Sequence, residues 1–307
     1  MSEEKELHIS TLNQYRQQLE QDFPELVIRE FKRIGSGWDH IALAVNGEII
    51  FRMPEDGQFD DEQRRLVTYE TAVLQKLQPV LSIAIPEPLY VAPRGGYFGY
   101  PKLEGTLTEE VWPKLTPAQQ AKLQEDWVAV VVAIERALPV EEARKLGVPP
   151  FWLQESIDGI HGFLQRGNIS PKHRKFAEWT LERAKQLDVN KNPFFLHNDF
   201  YLHNMLLDPQ TKQLKALIDW SDCCIAPIER EFMLWHWLPA AQFNAIIELY
   251  SQRTGRSINK EQVKIWSYVE AFSDLHTQLS EDDQPGVKKS LQYINRWLQE
   301  ENIDRES

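Results

Sequence analysis

The first third of the chain contains short apolar runs that are typical of β-strands. Five strand-like runs occur here, at residues 27–34, 41–45, 48–53, 86–91 and 97–105. Asn46-Gly47, between the second and third runs, is a strong signal for a two-residue hairpin turn. We therefore expect a small sheet near the start of the chain.

Helical spacing of apolar residues dominates beyond residue 105. The predicted helices span residues 117–138, 152–165, 171–187, 231–238, 240–252, 260–276 and 285–299, and two earlier ones span 7–19 and 61–78. Only one hairpin interrupts the later helices, with strands at 205–207 and 214–218 around an Asp208-Pro209 turn. A strand-rich first third and a helix-rich remainder predict an α+β protein with two lobes.

Composition limits the partners and the compartment. The 307 residues are 42% hydrophobic, enough to bury a sizeable core. A net charge of -12 argues against a nucleic-acid partner, which needs a basic footprint, and it favours either cationic ligands or solubility alone. The two cysteines, Cys223 and Cys224, are adjacent and suit a reducing cytosol. The longest apolar run, 127–134, is too short to span a membrane, so we expect a cytoplasmic protein without a membrane partner.

The densest candidate chemistry lies between residues 194 and 220. Transfer of a phosphoryl group requires a carboxylate near the acceptor hydroxyl and divalent ions that neutralise the phosphates. Asp199 fits the first role, and Asn204 and Asp219 offer the oxygen ligands that Mg²⁺ prefers. The hairpin is expected to return Asp219 to the neighbourhood of Asn204. Taken alone, an Asp at the end of a strand, such as Asp219, is more often a cap or turn residue.

The spacing His197-x-Asp199-x4-Asn204, followed by an apolar strand and Asp219, resembles the aminoglycoside phosphotransferase family. In Ile218-Asp219-Trp220-Ser221-Asp222 the chain looks closest to the 2''-aminoglycoside phosphotransferase branch. These are small-molecule kinases with a bilobal, protein-kinase-like fold. The resemblance implies a small strand-rich N-lobe at residues 1–99, a hinge at 100–105 and a larger, mainly helical C-lobe at 106–307. The C-lobe is expected to hold the catalytic hairpin and the acceptor pocket.

The resemblance also assigns residues to the nucleotide. Gly35, Ser36 and Gly37 would cover the phosphates, although an ordinary turn would look the same and His40 replaces the third glycine of protein kinases. Arg52 stands where a lysine is expected and is either a phosphate ligand or a surface residue. Glu70 lies on the apolar stripe of its helix, so we expect it to pair with Arg52 unless it reaches water at the edge.

Recognition of the base is expected from the main chain between Tyr100 and Leu103, where the resembled family has its hinge. A plain loop would look similar. Backbone recognition leaves little side-chain signature, so the nucleotide is ATP or GTP.

The acceptor is expected to be a small molecule, because Asp219 is followed within a few residues by Pro227 and leaves no room for the activation segment of a protein kinase. Glu231, where the family usually has a further Asp, and Asn198, where Gly is commonest, are departures that concern loop geometry. Candidate acceptor residues are Asp222, Trp235, Trp266, Glu270 and Asp274. Glu270 and Asp274 are four apart on one helix and suit a polyamine sugar, although such pairs are usually a solvated face.

The expected function is transfer of the γ-phosphoryl group of ATP or GTP, with Mg²⁺, to a hydroxyl of an aminoglycoside-like acceptor, which would make the chain an antibiotic-resistance enzyme. A macrolide or a metabolic alcohol such as homoserine, choline or methylthioribose is an open alternative. A catalytically silent nucleotide-binding protein is another. We expect a monomer or a weak dimer.

Overall fold

The computed structural model describes residues 3–36, 40–54, 57 and 59–301, with side chains from residue 11 onwards except that of Ser36. The chain divides into two compact units. The first comprises Met1–Val148 and Leu202–Cys223, and the second comprises Pro149–Tyr201 and Cys224–Ser307. The lobe boundaries expected from the sequence remain a prediction. No helix in the described ranges is long and apolar enough to cross a membrane.

Strands and helices alternate irregularly, as expected for an α+β protein. The strands are β1 (Phe31–Ser36), β2 (His40–Val45), β3 (Ile49–Pro54), β4 (Tyr90–Val91), β5 (Phe98–Pro101), β6 (Thr106–Leu107), β7 (Pro193–Leu196), β8 (Met205–Leu207), β9 (Leu214–Leu217) and β10 (Cys224–Pro227). The α-helices are α1 (Glu3–Asp22), α2 (Asp61–Leu77), α3 (Thr108–Val111), α4 (Pro117–Ala137), α5 (Val140–Lys145), α6 (Leu153–Leu164), α7 (Pro171–Ala184), α8 (Ala240–Thr254), α9 (Lys260–Ser280) and α10 (Gln284–Glu300).

An antiparallel sheet in the order β1-β2-β3-β5-β4 organises the first unit. The predicted hairpin between β2 and β3 is confirmed, because Asn46 and Gly47 have φ angles of 54° and 73°, as a two-residue primed turn requires. The core beneath the sheet packs Tyr15 and Leu19 of α1 against Phe51 of β3. A second small sheet, in the order β6-β8-β9, contains the predicted hairpin.

Helices α6, α7, α9 and α10 surround the core of the second unit. The rings of Phe176, Tyr268, Phe272 and Trp297 are all buried in this core. Helix α9 runs through it for 21 residues. Packing in this core holds α9 in place, so the polar residues of α9 are carried on a rigid element.

Three sequence predictions of secondary structure are wrong. The helix predicted at residues 231–238 is a 3-10 segment, Ile228–Trp237, bounded by Pro227 and Pro239. Within the run 86–91 only Tyr90–Val91 pairs as a strand, because prolines lack the N–H that a ladder needs. Strands β7 and β10 pair with each other, so the hairpin is not the only strand structure within the helical part.

Candidate functional site

Arg52 and Glu70 form a buried ion pair in the first unit. Arg52 lies on the central strand β3, and Glu70 lies on the inward face of α2, which Asp60 caps at its N-terminus. The distance from Nη1 of Arg52 to Oε1 of Glu70 is 2.6 Å, and the side chains are 10% and 2% exposed. The predicted pair is therefore confirmed, and Arg52 is not a surface residue.

Arg52 also binds Asp219. Its Nη2 lies 2.8 Å from Oδ1 of Asp219. Burial opposes the charged form of Arg52, but the carboxylates of Asp219 and Glu70 outweigh it, and the pKa of the guanidinium is raised above its ordinary value. Burial raises the pKa of Glu70 to about 7, and the charge of Arg52 acts in the opposite direction. One arginine thus joins the strand, the helix and the end of the hairpin.

The segment after β9 is held against α2. Asp219 adopts a left-handed conformation with φ at 62°, and its Oδ1 accepts a hydrogen bond from Ser221 Oγ at 3.0 Å. The main chain of Trp220 donates to the Glu70 carboxylate, and Tyr69 Oη donates to the Ser221 carbonyl at 3.0 Å. A left-handed non-glycine residue at such a place is a strained conformation that the surrounding contacts impose.

The hairpin brings Asn204 and Asp219 together, as predicted. The Ile218 N–H donates to the Asn204 carbonyl at 3.0 Å, and Met205 faces Leu217 in the β8–β9 register. The amide of Asn204 and the carboxylate of Asp219 are both hard oxygen donors. Two such donors, completed by phosphate oxygens and water, fit the way Mg²⁺ is usually bound.

The glycine-rich turn is described only in part. Gly35 and Ser36 lie on β1 opposite Ala42 and Ile41, whereas Gly37 lies outside the described residues. His40, which replaces the third glycine, is buried, and its Nε2 lies 2.6 Å from the amide nitrogen of Gln63. Burial, followed by the nearby charge of Arg52, lowers the pKa of His40 to about 4, so a neutral imidazole occupies this position at neutral pH.

The two residues predicted at the hinge lie at and beyond the end of β5. Tyr100 pairs with Ile50 of β3 and is buried, and burial raises its pKa to about 12. Leu103 is half-buried in the irregular segment between β5 and β6. The preceding Lys102 N–H donates to the Glu48 carbonyl at 2.7 Å. Their role towards a nucleotide base stays a prediction.

In the second unit, the loop after β7 carries His197, Asn198 and Asp199. His197 is buried, and its Nδ1 accepts the Asp199 N–H at 3.3 Å. Asn198 has φ at 70°, which explains why a glycine would also fit here. Its N–H donates to Glu231 Oε2 at 2.9 Å, and its Oδ1 accepts from Arg230 Nε at 2.6 Å. The residue before Asp199 is therefore held on two sides.

Glu231 is a buried acid beneath this loop. Burial raises its pKa to about 8, while the hydrogen bond from Asn198 acts in the opposite direction. Glu231, at a position where the resemblance leads us to expect the shorter Asp, reaches the main chain of the loop directly before Asp199.

Among the five candidate acceptor residues, the structure brings Glu270 and Asp274 close enough together for the charge of Glu270 to affect Asp274. Oε2 of Glu270 lies 3.1 Å from Nη2 of Arg230, and burial together with the charges of Glu270 and Asp199 raises the pKa of Asp274 well above its ordinary value. Trp235 and Trp266 are buried among other side chains, at 0% and 1% exposure. Asp222 belongs to the first unit, where it is exposed and lies close enough to Arg52 to affect its charge.

Arg230 is a residue that the sequence did not single out. Its guanidinium carbon lies 3.5 Å from the centre of the Phe151 ring and 5.1 Å from that of Trp266. The only sequence signal is an alternation of charges, Glu229-Arg230-Glu231, inside an otherwise apolar stretch.

Known proteins resemble this chain in sequence pattern and in fold. The model of the phosphotransferase enzyme family (APH) matches residues 30–266. The GDP complex of wild-type aminoglycoside 2'-phosphotransferase-IIIa superposes with a TM-score of 0.75 at 19% identity, covering 93% of this chain and 97% of that one. The GDP and kanamycin complex of APH(2")-IIia gives 0.76 at 19% identity, covering 92% and 97%. Macrolide 2'-phosphotransferase type I gives 0.66 at 16% identity, covering 91% and 94%.

These structures share the α+β, protein-kinase-like fold that the sequence predicts, and the family model covers the sheet, the hairpin and the start of α9. The chain belongs to the APH phosphotransferase enzyme family.

Proposed function

We propose that this protein transfers the γ-phosphoryl group of ATP or GTP to a hydroxyl group of a small molecule. The observation that carries the proposal is the bridge formed by Arg52 between Glu70 and Asp219. It puts a buried cation beside the carboxylate of Asp219, which is an arrangement suited to polyphosphate. Complexes of structural neighbours with GDP and with ATP support a nucleotide donor.

Each side chain has a defined task in this reaction. Asp199 orients the acceptor hydroxyl and accepts its proton as the new bond to phosphorus forms. Arg52, steadied by Glu70, binds phosphate oxygens, and the main chain from Gly35 to Gly37 covers them. Tyr100 and Leu103 offer main-chain groups to the base. Asn204 and Asp219 would hold Mg²⁺, which when bound neutralises negative charge on the phosphates.

Two acceptor classes are candidates. An aminoglycoside-like acceptor is favoured by the carboxylates of Glu270 and Asp274 and by neighbours described as aminoglycoside phosphotransferases. An acceptor with a single amine, such as a macrolide or an amino alcohol, is favoured by the Arg230–Glu270 pair, which offsets one of these carboxylates. Phosphorylation of an antibiotic would make the protein a resistance enzyme. Two buried cysteines that form no disulfide are in keeping with a reducing cytoplasm.

A screen of acceptors with radiolabelled γ-phosphate tests the proposal. Aminoglycosides, macrolides and amino alcohols are each offered with ATP or GTP and Mg²⁺, and wild type is compared with Asp199→Ala. We expect phosphorylated product from wild type and a loss of about 100-fold or more in the variant, with nucleotide binding retained. Tight nucleotide binding without any product would favour the catalytically silent alternative and overturn the proposal.

A further inference from the structure

Arg230 connects the loop of Asp199 with helix α9. Its Nε donates to Asn198 Oδ1 at 2.6 Å, and its Nη2 lies 3.1 Å from Glu270 Oε2. The side chain is only 2% exposed, and the Phe151 ring covers its face at 3.5 Å. A buried, planar guanidinium with two hydrogen-bonded partners and a stacked ring has little freedom to move.

The same arginine is surrounded by acids. Burial, the charge of Glu270 and that of Asp199 raise the pKa of Asp274, and the charge of Arg230 acts in the opposite direction. Glu270 is 26% exposed, and Asp199 and Asp274 are also half-buried, so all three remain partly accessible. Glu231 adds little charge at neutral pH, because burial raises its pKa to about 8. Arg230 is thus the cation that limits the negative charge beside Asp199.

We propose that Arg230 determines which acceptor charge the enzyme prefers. Alcohols with one amine or none are preferred over polyamines. This inference rests on the proposed phosphotransfer. A polyamine would gain most binding energy from Glu270 if that carboxylate were unpaired. In this chain the polyamine must compete with the fixed guanidinium of Arg230 for the carboxylate. An acceptor with one amine needs no more than the remaining carboxylates offer.

The arginine has a second effect through Asn198. Because Nε holds the residue directly before Asp199, Arg230 is a positioning residue for the loop as well as a charge in the acceptor region. Lysine keeps the charge but lacks the planar fork with which Arg230 reaches Asn198 and Glu270 from two separate nitrogens. Substitution by lysine therefore separates the charge of Arg230 from its positioning of the loop.

The experiment compares kcat and KM for three acceptors with wild type, Arg230→Met and Arg230→Lys. The acceptors are a neutral sugar alcohol, a macrolide with one amine and kanamycin as the polyamine. We expect wild type to favour the macrolide or the neutral alcohol by kcat/KM. Arg230→Met should shift the ratio towards kanamycin by about tenfold, which corresponds to about 1.4 kcal/mol. Arg230→Lys should keep the wild-type ratio and lower kcat on every acceptor.

Arg183→Met is the matched control. Arg183 stacks on Trp179 at 3.6 Å and donates to the Trp179 carbonyl, so it shares with Arg230 the stacking on an aromatic ring, on α7 of the same unit. If Arg230→Met folds poorly, Glu270→Gln provides the complementary measurement. It leaves the arginine uncompensated and should move the ratio further from kanamycin.

The possible failures are distinct. If wild type is active but Arg230→Met and Glu270→Gln leave its acceptor ratio unchanged, the role of Arg230 alone is overturned. The same holds if Arg183→Met changes the ratio as much as Arg230→Met does. Wild type that prefers kanamycin overturns it too. Wild type that phosphorylates none of a broad set of alcohols overturns the proposed function, and the inference with it.

Discussion

The guanidinium of Arg52 lies 2.8 Å from the carboxylate of Asp219. The cation proposed to bind phosphate is therefore paired with one of the residues proposed to bind metal. If Asp219 held Mg²⁺, the other nitrogen of Arg52 would still be anchored to Glu70 at 2.6 Å. Glu70 would thus keep the buried arginine paired whether or not Asp219 holds a metal.

Asp219→Asn should lower kcat/KM by about 100-fold or more, because an amide of the same size cannot neutralise a divalent cation. The Mg²⁺ concentration needed for half-maximal activity should rise. Asp208→Asn is the control, since Asp208 only caps its own turn by accepting the N–H groups of Gln210 and Thr211. Titration of activity with Mg²⁺ tests this prediction. An unchanged midpoint in Asp219→Asn would show that Asp219 does not hold the metal.

Arg52→Met should lower the free energy of unfolding by about 3–5 kcal/mol, because it leaves the Glu70 carboxylate buried without its cation. Arg144→Met is the comparison. It breaks an exposed pair with Glu141 at 2.8 Å and should cost no more than about 1 kcal/mol. Urea unfolding of the three proteins measures both effects. Equal, small losses would show that the buried pair contributes no more than a surface pair.

Much of this arrangement follows from local patterns in the sequence. Asn46-Gly47 identifies its hairpin because only a few residues tolerate two positive φ angles. Glu70 could be paired with Arg52 because a carboxylate on an apolar stripe needs a counter-charge. The β8–β9 hairpin followed from a turn between two short apolar runs, and with it the approach of Asp219 to Asn204.

What could not be predicted depends on long-range packing. The pairing of β7 with β10 joins segments separated by about thirty residues, and neither run alone differs from other apolar stretches. Burial of Trp235 and Trp266 depends on the aromatic residues around them, such as Tyr201 and Phe151. The burial of Arg230 could not be predicted because a charged residue normally faces water and its partners come from distant parts of the chain.

Asn198→Ala should be about 1 kcal/mol less stable than Asn198→Gly. Both lose the hydrogen bond from Arg230, but only alanine must adopt φ near 70° with a β-carbon and without an amide group that eases this conformation. The same two substitutions at Asn190, which is not among the residues with positive φ, should show no such preference for glycine. Thermal or urea unfolding gives the difference, and a more stable alanine variant at residue 198 would contradict the assigned conformation.

Glu231→Gln should flatten the dependence of stability on pH. Burial raises the pKa of Glu231 in the folded protein to about 8, above the ordinary value of 4.5, so between these values the folded state holds a proton that the unfolded state has lost. The free energy of unfolding of wild type should fall as pH rises through this window, by up to about 1.4 kcal/mol per pH unit.

Glutamine cannot ionise but keeps an oxygen for the Asn198 N–H. The free energy of unfolding of the variant should therefore rise relative to that of wild type as pH rises from 5 to 9. Some slope should remain up to about pH 7, because Glu70 also has a raised pKa. Urea unfolding at each pH is the measurement, with Glu229→Gln as the comparison for the loss of a neighbouring carboxylate. Curves for wild type and Glu231→Gln that run parallel would mean that Glu231 is already ionised in the folded protein, and that the loop before Asp199 is held by a charge instead of a neutral acid.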